Sequence, residues 1–380
     1  MEWRVPLADL DYGDEEIQAV TNVLRSKWLT MGEITHNFEE EFAKMCGAKH
    51  AIAVSNATQA LHLACLALGI GPGDEVIVPS LSFVATSNAV LYCSAKVQFV
   101  DIIDPKELTM DPNAIARAIN ENTKAIIVMH YAGFPCRMDD ILAIAEEHHL
   151  PVIEDAAHAA GSFLDGKGLG TFGEIGCYSF FSNKNLSVGE GGMLVCERED
   201  IAEKIRLMRS HGMTSLTYDR HQGHAFSYDV VETGYNYRID EIRSALGLEQ
   251  LKKLARNNQK RREITENYWG AFRGTPIGLP FSHLKQNTFS YHIFPILLPS
   301  EVNRQEFMTG CRDAGIQTSI HYRPIHTFTN YQPEYGKTWL PITDYAASRE
   351  VTLPLFPTMT TDQQDYVIEN VIRLINSSRN

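Results

Sequence analysis

Seven short apolar segments between residues 50 and 197 alternate with stretches of helical periodicity, and this alternation constrains the fold more than any other feature of the sequence. Strands separated by helices form a mainly parallel sheet with helices on both faces. We therefore predict an α/β fold with a mostly parallel seven-stranded sheet, whose ligands bind at the carboxyl ends of the strands. The predicted strands are His50–Ser55, Glu75–Pro79, Val97–Asp101, Ala125–His130, Pro151–Asp155, Ile175–Phe181 and Met193–Glu197.

The chain is long enough for two domains. Its 380 residues exceed the size of about 250–300 residues beyond which single cores stop growing. The alternation ends near residue 235, where a long helical stretch, Asp240–Tyr268, leads into the Gly/Pro-rich segment GTPIGLPF. We predict a large domain over residues 1–254 and a smaller C-terminal α+β domain over residues 255–380.

The net charge and the cysteines argue against several classes of partner. The 34 basic and 47 acidic residues give a formal charge of -13, which disfavours binding to nucleic acid and to anionic membranes. No segment has the length and hydrophobicity of a membrane span, and the first residues lack the apolar core of a signal peptide. The seven cysteines show no Cys-x-x-Cys spacing. We expect a cytoplasmic protein with no metal ion, no nucleic-acid partner and no membrane partner.

Residues suited to a phosphate and to a planar ring follow the first two predicted strands. Ala57 and Thr58 open a helix, and the free N–H groups at a helix start bind anions. The alternative interpretation is that Asn56 or Thr58 only caps the helix. Phe83 offers a flat apolar face on which a heteroaromatic ring can stack, although a phenylalanine in the core is the commoner case.

The strand that ends at Asp155 is followed by small residues and by His158. A carboxylate that is hydrogen-bonded to a ring nitrogen keeps this nitrogen protonated, and the ring then accepts electrons from a bound substrate. A helix cap is the alternative interpretation of Asp155. Packing offers no obvious reason for an aspartate followed by two alanines at the edge of a sheet.

Ser179 and Lys184 belong to the next strand and to the loop that follows it. Taken alone, Lys184 is best explained as a surface charge, because lysine is almost never fully buried without a partner. Lys184 nevertheless follows Asp155 by 184 − 155 = 29 residues, one strand further along the chain. Pyridoxal 5'-phosphate needs this arrangement, with a lysine to condense with its aldehyde and an aspartate to pair with its pyridine nitrogen. In combination with Asp155, Lys184 is predicted to be buried beside this cofactor.

These motifs together resemble the DegT/DnrJ/EryC1/StrS family of pyridoxal-phosphate-dependent nucleotide-sugar aminotransferases, which have fold type I. The resemblance runs over nearly the whole chain, and in combination its motifs are highly specific. It rests on the segments Trp28-Leu29-Thr30-Met31-Gly32, Gly71-Pro72-Gly73-Asp74-Glu75-Val76, Glu154-Asp155-Ala156-Ala157-His158, Lys184-Asn185-Leu186, Gly189-Glu190-Gly191-Gly192 and Gly234-Tyr235-Asn236-Tyr237-Arg238.

The resemblance implies a role for four residues around the cofactor ring. Lys184 would form the covalent bond to the cofactor, and Asp155 would pair with the pyridine nitrogen. Phe83 would stack on the ring. His158 would contact the phenolic oxygen, at a position where many members of the family have glutamine. One branch of the family has histidine in place of the lysine and eliminates water, so Lys184 indicates amino transfer.

The resemblance also implies how the phosphate is bound. Ala57, Thr58 and Ser179 would contact it from one subunit, although Asn56-Ala57-Thr58 stands where the family more often has Ser-Gly-Thr or Asn-Gly-Thr. Asn236 of the partner subunit would reach the same phosphate. A homodimer with shared active sites is therefore implied.

Four residues nearer the C-terminus are candidates for substrate binding. His321, Tyr322 and His326 belong to the segment HYRPIH, which resembles a family segment near the sugar nucleotide. A solvated turn before Pro324 is an equally good interpretation of this segment. Arg238 is the fourth candidate, with a surface ion pair as the alternative.

The predicted activity is the transfer of an amino group from an amino acid, in this family most often glutamate, to a keto group of a nucleotide-linked deoxysugar. A 4-keto-6-deoxy sugar is the favoured acceptor, in the biosynthesis of a surface polysaccharide or a glycosylated metabolite. Two alternatives remain open at this point. One is a cyclitol or aminobenzoate-type aminotransferase of antibiotic biosynthesis, and the other is a regulatory protein that has the fold without turnover.

Overall fold

The seven predicted strands form one sheet in the computed structural model, which describes residues 3–214, 228–284 and 288–377. The order of the strands across the sheet is β1-β11-β10-β7-β6-β2-β3. Only β11 runs antiparallel to its neighbours. The strands are β1 His50–Val54, β2 Glu75–Pro79, β3 Lys96–Val100, β6 Thr123–Met129, β7 Val152–Asp155, β10 Ile175–Ser179 and β11 Gly192–Cys196. The prediction of a mostly parallel seven-stranded sheet is confirmed.

Helices cover both faces of this sheet, because successive side chains of each strand point to opposite sides. Val76 and Val78 of β2 belong to a buried cluster with the helices α3, α4 and α7, whereas Ile77 belongs to another cluster with α5 and α6. The helices of this part of the chain are α1 Asp14–Ser26, α2 Glu33–Cys46, α3 Ala57–Ala67, α4 Ala85–Tyr92, α5 Pro112–Ala118, α6 Met138–Glu147 and α7 Glu199–Arg209.

A helix of 32 residues, α8 Glu241–Phe272, links the sheet region to the C-terminal region. It begins at Asp240, whose side chain accepts a hydrogen bond from the backbone N–H of Arg243. Its first half packs against α1 and α2, and its last turns enter a separate aromatic cluster that contains Phe272. The predicted boundary between residues 254 and 255 lies within this helix.

The C-terminal region contains a two-stranded antiparallel sheet and several helices. The strands are β12 Phe294–Leu297 and β13 Glu350–Leu353, and the helices are α9 Arg304–Asp313, α10 Gln332–Tyr335, α11 Pro341–Arg349 and α12 Thr361–Ser377. Two further hairpins, β4 Ile102–Asp104 with β5 Glu107–Met110 and β8 Phe163–Leu164 with β9 Lys167–Gly168, lie outside the main sheet, as do short 3-10 turns at Tyr131–Gly133 and Ile325–Thr327.

No helix in residues 3–214, 228–284 and 288–377 combines the length and the hydrophobicity that are needed to cross a membrane. No group of three or more His, Cys, Asp or Glu side chains in the same ranges is arranged to bind a metal ion. All seven cysteines are buried and none is in a disulfide.

Candidate active site

Nine of the predicted site residues line one cavity of about 650 Å³ at the carboxyl ends of the parallel strands. Seven of them follow or end strands of the main sheet, where parallel strands bring their last residues to the same edge. The other two come from the C-terminal region and close the cavity from the opposite side. The nine residues are Ala57, Thr58, Phe83, Asp155, His158, Ser179, Lys184, His321 and Tyr322.

The start of α3 forms one end of the cavity. The first N–H groups of a helix have no acceptor within the helix. Asn56 accepts a hydrogen bond from the backbone N–H of Gln59 at 3.0 Å, which leaves the first turn at Ala57 and Thr58 beside the cavity. A Cβ atom on Gly192 would lie 2.5 Å from the carbonyl carbon of Asn56. Only glycine at the start of β11 allows this close approach, and the helix start is suited to a phosphate.

Asp155 is held rigidly in the cavity wall at the end of β7. Its Oδ2 atom accepts a hydrogen bond from the hydroxyl of Thr86 at 2.6 Å, and its Oδ1 atom accepts one from the N–H of Ala157 at 3.2 Å. Burial raises the pKa of Asp155, while these two donors and the charge of Lys184 act in the opposite direction. A protonated ring nitrogen is the kind of partner that would stabilise this carboxylate.

The neighbouring carboxylate, Glu154, faces away from the cavity because successive side chains of β7 alternate. It accepts hydrogen bonds from the backbone N–H groups of Gly170, Phe172 and Gly173 at 2.6–2.7 Å. It also lies 2.8 Å from Nε2 of His130. Glu154 therefore organises a loop beneath the sheet edge, and only Asp155 of this pair belongs to the site.

Lys184 reaches the centre of the cavity from the loop after β10. Its Nζ atom lies 3.3 Å from Nε2 of His292. Burial lowers the pKa of Lys184 to about 8, and the charge of Asp155 limits this decrease. An amine with such a pKa is partly unprotonated near neutral pH, as a nucleophile or a proton carrier requires. The interpretation of Lys184 as an ordinary surface charge does not fit this position.

A fixed network orients His292 toward Lys184. Asn185 uses its amide nitrogen to donate to Asn258 and to the backbone carbonyl of Ser290, so its oxygen is the acceptor for Nδ1 of His292 at 2.9 Å. His292 therefore carries its proton on Nδ1 and presents a lone pair on Nε2. Burial, together with the charge of Lys184, holds the pKa of His292 well below its usual value.

His158 and Tyr322 form a second hydrogen-bonded pair in the cavity wall. The backbone N–H of Ala132 points at Nδ1 of His158, and the Tyr322 hydroxyl lies 2.9 Å from Nε2. Burial lowers the pKa of His158 far below its usual value, so the neutral ring donates from Nε2 to the Tyr322 oxygen. The phenolic proton of Tyr322 then remains available to a ligand.

His321 connects the cavity to a buried carboxylate of the C-terminal region. Its Nδ1 atom lies 2.8 Å from the hydroxyl of Thr352, which donates to Glu350 at 2.5 Å. The backbone N–H of His321 donates to the same carboxylate at 2.7 Å. The hydroxyl of Tyr131 donates to the backbone carbonyl of His321.

Pyridoxal phosphate fits the groups that line this cavity. Phe83 exposes 57% of its surface, which is unusual for a phenylalanine and leaves a ring face in the cavity. The side-chain oxygens of Gln59 and Asn183, both in the cavity wall, are buried without a hydrogen-bond partner among the described residues. Buried polar atoms are normally paired, so these oxygens are suited to donors on a ligand.

Three predicted site residues lie outside the cavity wall of the single chain. Asn236 is exposed and pairs through its backbone with Ser210. Arg238 is partly buried, which lowers the pKa of its guanidinium group. His326 is buried behind the cavity, where its Nδ1 atom lies 2.8 Å from the hydroxyl of Ser80. The structure does not bring these three residues into contact with the groups around Lys184.

Sequence reasoning missed the roles of four residues that contact the predicted site residues or orient a residue that does. Thr86 and Asn185 lie close in sequence to residues that were singled out, and Asn185 belongs to the segment Lys184-Asn185-Leu186, but no role was predicted for either side chain. His292 lies 108 residues beyond Lys184, in a segment predicted only to be part of the small domain. Glu350 follows a helix and has no distinguishing spacing. Only the three-dimensional structure places these side chains behind the residues that line the cavity.

The family model of the DegT/DnrJ/EryC1/StrS aminotransferase family matches residues 11–372. The chain belongs to this family. The predictions of the family and of an aminotransferase are thereby confirmed. A curated relative, the spore coat polysaccharide biosynthesis protein SpsC of Bacillus subtilis (strain 168), is 39% identical over 374 residues, which cover 96% of this chain and 96% of SpsC.

Solved structures of sugar aminotransferases have the same fold. PseC of Helicobacter pylori, an aminotransferase of pseudoaminic acid biosynthesis, is 30% identical with a TM-score of 0.91, covering 99% of this chain and 100% of PseC. The putative sugar aminotransferase Spr1654 of Streptococcus pneumoniae in its PMP form is 27% identical with a TM-score of 0.93, covering 99% and 100%. Spr1654 is also known in a PLP form. The fold-type-I prediction is confirmed.

Proposed function

We propose that this family member uses pyridoxal phosphate to move an amino group from an amino acid, L-glutamate, to the keto group of a nucleotide-linked deoxysugar. The proposed acceptor is a 4-keto-6-deoxy sugar, and the proposed pathway makes a surface polysaccharide or a glycosylated metabolite. One observation carries the cofactor assignment: Lys184, with a pKa lowered to about 8, and the rigidly held Asp155 line the same cavity.

Pyridoxal phosphate supplies an electron-accepting ring when it is bound, which makes a proton next to an amino group labile. Asp155 would hold the protonated ring nitrogen, and the α3 start at Ala57 and Thr58 with Ser179 would hold the phosphate. Phe83 would support one face of the ring. Lys184 would anchor the cofactor and, when released, would take a proton from the substrate carbon that bears the amino group, or return one to it.

The relatives support a sugar as the acceptor. SpsC is named for spore coat polysaccharide biosynthesis, and PseC acts in pseudoaminic acid biosynthesis. The cavity of about 650 Å³ lies in the range of small-molecule sites and has room for a substrate beside the cofactor. The polar side chains of His321 and Tyr322 line its wall on the C-terminal side, where hydroxyl groups of a sugar would find partners.

We also propose a homodimer in which Asn236 of the partner subunit completes the phosphate site. Asn236 is exposed and lies outside the cavity wall of its own chain. Exposed apolar side chains at Tyr228, Val230 and Val231 lie on the same segment. Clustered apolar exposure of this kind is typical of a surface that is covered by another subunit.

A spectroscopic experiment tests the proposal. Purified protein supplied with pyridoxal phosphate is expected to show the absorbance of the lysine-bound cofactor, and glutamate should convert it to the amine form. Lys184→Ala should bind the cofactor without this absorbance and should not turn over. A set of nucleotide-linked 4-keto and 3-keto sugars, with a keto cyclitol for comparison, then identifies the acceptor. Protein that stays colourless with added cofactor would be a regulatory member of the fold instead.

A further inference from the structure

Glu350 is a buried carboxylate without a cation beside it. It is 1% exposed, and no side-chain nitrogen of Lys, Arg or His in residues 3–214, 228–284 and 288–377 forms an ion pair with it. Arg304 approaches Glu350 only through a hydrogen bond to its backbone carbonyl at 3.4 Å. Burying an unpaired carboxylate is costly, so a glutamate at this position, adjacent to the active-site wall, calls for a chemical explanation.

An unbroken chain of hydrogen bonds connects this carboxylate to the cavity. Oε1 of Glu350 lies 2.5 Å from the Thr352 hydroxyl, and this hydroxyl lies 2.8 Å from Nδ1 of His321. Thr352 is 1% exposed, so bulk water does not interrupt the chain. His321 lines the cavity that also contains Lys184. Because Nδ1 is engaged by Thr352, Nε2 is the ring nitrogen that remains for a ligand.

The hydroxyl of Thr352 can point in only one direction at a time, so the chain has two arrangements. When Glu350 is charged, Thr352 donates to it and accepts from Nδ1–H of His321, and Nε2 carries a lone pair. When Glu350 is protonated, it donates to Thr352, which donates to Nδ1, and Nε2 carries the proton. In both arrangements the imidazole is neutral.

We propose that His321, Thr352 and Glu350 form a proton relay that exchanges a proton with the carbonyl oxygen of the keto substrate. This inference rests on the proposed function for its substrate, whereas the relay itself depends only on the three side chains. Amination requires the keto oxygen to leave as water, and that oxygen needs a proton to do so. Nε2–H of His321 is the donor, and Glu350 is the store from which the proton is replaced.

The protons balance over the whole exchange. When the oxygen takes the proton from Nε2, the hydrogen of Thr352 moves to Nδ1 and the hydrogen of Glu350 moves to the Thr352 oxygen. Glu350 is left charged. The incoming amine gives up two protons as its nitrogen replaces the oxygen, and one of them returns to Nε2 and reverses the relay. The second joins the leaving hydroxyl to form water, and no oxidant or reductant is needed.

The surroundings favour storage of the proton on Glu350 over storage on His321. Burial lowers the pKa of His321 to about 4, and the charge of Lys184 contributes to this shift. Burial raises the pKa of Glu350 to about 8, against the weaker effects of its two donors and Arg304. The other titratable groups near the relay are Tyr131 and Tyr322 beside Glu350, and His158 and His292 beside His321.

Nitrogen NMR of the histidine side chains tests the relay in the cofactor-free full-length protein. The two neutral tautomers give different imidazole ¹⁵N shifts, and His321→Asn assigns the signal. For the wild type, we expect the proton of His321 to lie on Nε2 below about pH 8 and on Nδ1 above it. A tautomer that stays the same across this pH would overturn the proposal.

Three variants of Glu350 and Thr352 sharpen the test. Glu350→Gln retains an acceptor for the backbone of His321 while its amide donates to Thr352, so the proton should stay on Nε2 at every pH. Thr352→Val breaks the chain and should abolish the change near pH 8, whereas Thr352→Ser should retain it. In the holoenzyme, Glu350→Gln should lower kcat for the keto substrate about 10²-fold or more. Unchanged kcat in Glu350→Gln would show that the relay does not serve the substrate.

These measurements separate the relay from the proposed function. The NMR signals do not depend on the cofactor or on the choice of sugar, so a relay observed in a protein that never binds pyridoxal phosphate would leave the three side chains as assigned. If the protein aminates keto sugars but the tautomer of His321 does not change with pH, the proposed function is supported and the relay is contradicted.

Discussion

The Nζ atom of Lys184 lies 3.3 Å from Nε2 of His292, the unprotonated nitrogen of a histidine whose other nitrogen donates to Asn185. In the proposed reaction, Lys184 would leave the cofactor whenever a substrate amine takes its place, and an amine in this half-buried position then needs an acceptor. His292 supplies one on the side of the cavity that is formed by the C-terminal region. The backbone carbonyl of His292 accepts from Arg261 at 3.1 Å, which holds the imidazole in place.

Replacing His292 tests this relationship. His292→Phe removes the acceptor, so the ammonium form of the half-buried Lys184 loses a hydrogen bond that is worth about 1.5–3 kcal/mol. The pKa of Lys184 should therefore decrease by about one to two units from its value of about 8. The pH dependence of the rate at which an amine reagent labels Lys184 in cofactor-free protein, followed by peptide mass spectrometry, measures this pKa.

His292→Gln is the matched control because its side chain retains an oxygen acceptor. In His292→Gln, the pKa of Lys184 should be close to the wild-type value. Asn185→Ala removes the hydrogen bond that orients the His292 ring, and its Lys184 pKa should lie between those of the two His292 variants. If the pKa of Lys184 were the same in the wild type and in all three variants, His292 would have no effect on the protonation of Lys184.

Substitution of the two adjacent carboxylates of β7 should affect different properties, activity for Asp155 and stability for Glu154. Asp155→Asn removes the charge that would hold a ring nitrogen proton, and we expect amino transfer to fall about 10²–10³-fold while the protein stays folded. Glu154→Gln places an amide against several N–H donors, and we expect the free energy of unfolding to fall by about 1–3 kcal/mol. Steady-state kinetics and urea unfolding of both variants measure the two effects.

Each of these variants is the control for the other. Kinetic constants of Glu154→Gln, expressed per folded molecule, should equal those of the wild type. If Asp155→Asn were active and Glu154→Gln were stable but inactive, the assignment of the two side chains to opposite faces of β7 would be wrong.

The main sheet could be predicted from the sequence because its strands are short apolar runs that are separated by helices. All seven runs occur as strands, and their order explains why Asp155 and Lys184 meet. The strand ends were less predictable. Ile175–Phe181 was predicted as a strand, but β10 ends at Ser179, because Phe180 already begins the loop that carries Lys184. Local hydrophobicity does not distinguish a strand from the buried loop that follows it.

The half of the site nearest the sheet was also predictable, whereas on the C-terminal side only His321 and Tyr322 were identified, through their resemblance to a family segment. Ala57 follows a strand, and Asp155 and Ser179 each end one, so the topology of the sheet brings them together. His292 and Glu350 contact Lys184 and His321 from the C-terminal region, and their placement depends on how this region packs against the sheet. Periodicity and spacing carry no information about such packing.

The proposed shared site predicts that two defective subunits can complement each other. Lys184→Ala removes the anchor in one subunit, and Asn236→Asp places a negative charge where the partner's phosphate would bind. A hybrid dimer then has one site with both defects and one site with neither. Equal amounts of the two variants, mixed under conditions that exchange subunits, should regain up to about a quarter of the wild-type activity at limiting cofactor.

The unmixed variants are the controls for this experiment, and each should stay far below that level. Activity that equals the sum of the unmixed variants, together with proof of subunit exchange, would place Asn236 in the site of its own chain or outside any site. A species of 42.7 kDa alone in size-exclusion chromatography would contradict the dimer itself.

Glu350 should make the stability of the protein depend on pH in a direction opposite to that of most glutamates. Burial raises its pKa from the ordinary value of 4.5 to about 8 in the folded protein. Between these values the folded state binds more protons than the unfolded state, so this group makes the free energy of unfolding fall as the pH rises. Glu350→Gln does not titrate, and its stability relative to the wild type should therefore increase from about pH 5 to about pH 8 by up to about 3–5 kcal/mol. Lys184 does not produce this trend, because it is present in both proteins and because its lowered pKa raises the stability only above about pH 8.

Urea unfolding of the cofactor-free proteins at several pH values measures the difference, with Glu203→Gln at an exposed position as the control for the loss of one charge. A difference between Glu350→Gln and the wild type that is the same at every pH would mean that Glu350 remains charged in the folded protein, and the carboxylate could not then store the proton that the relay requires.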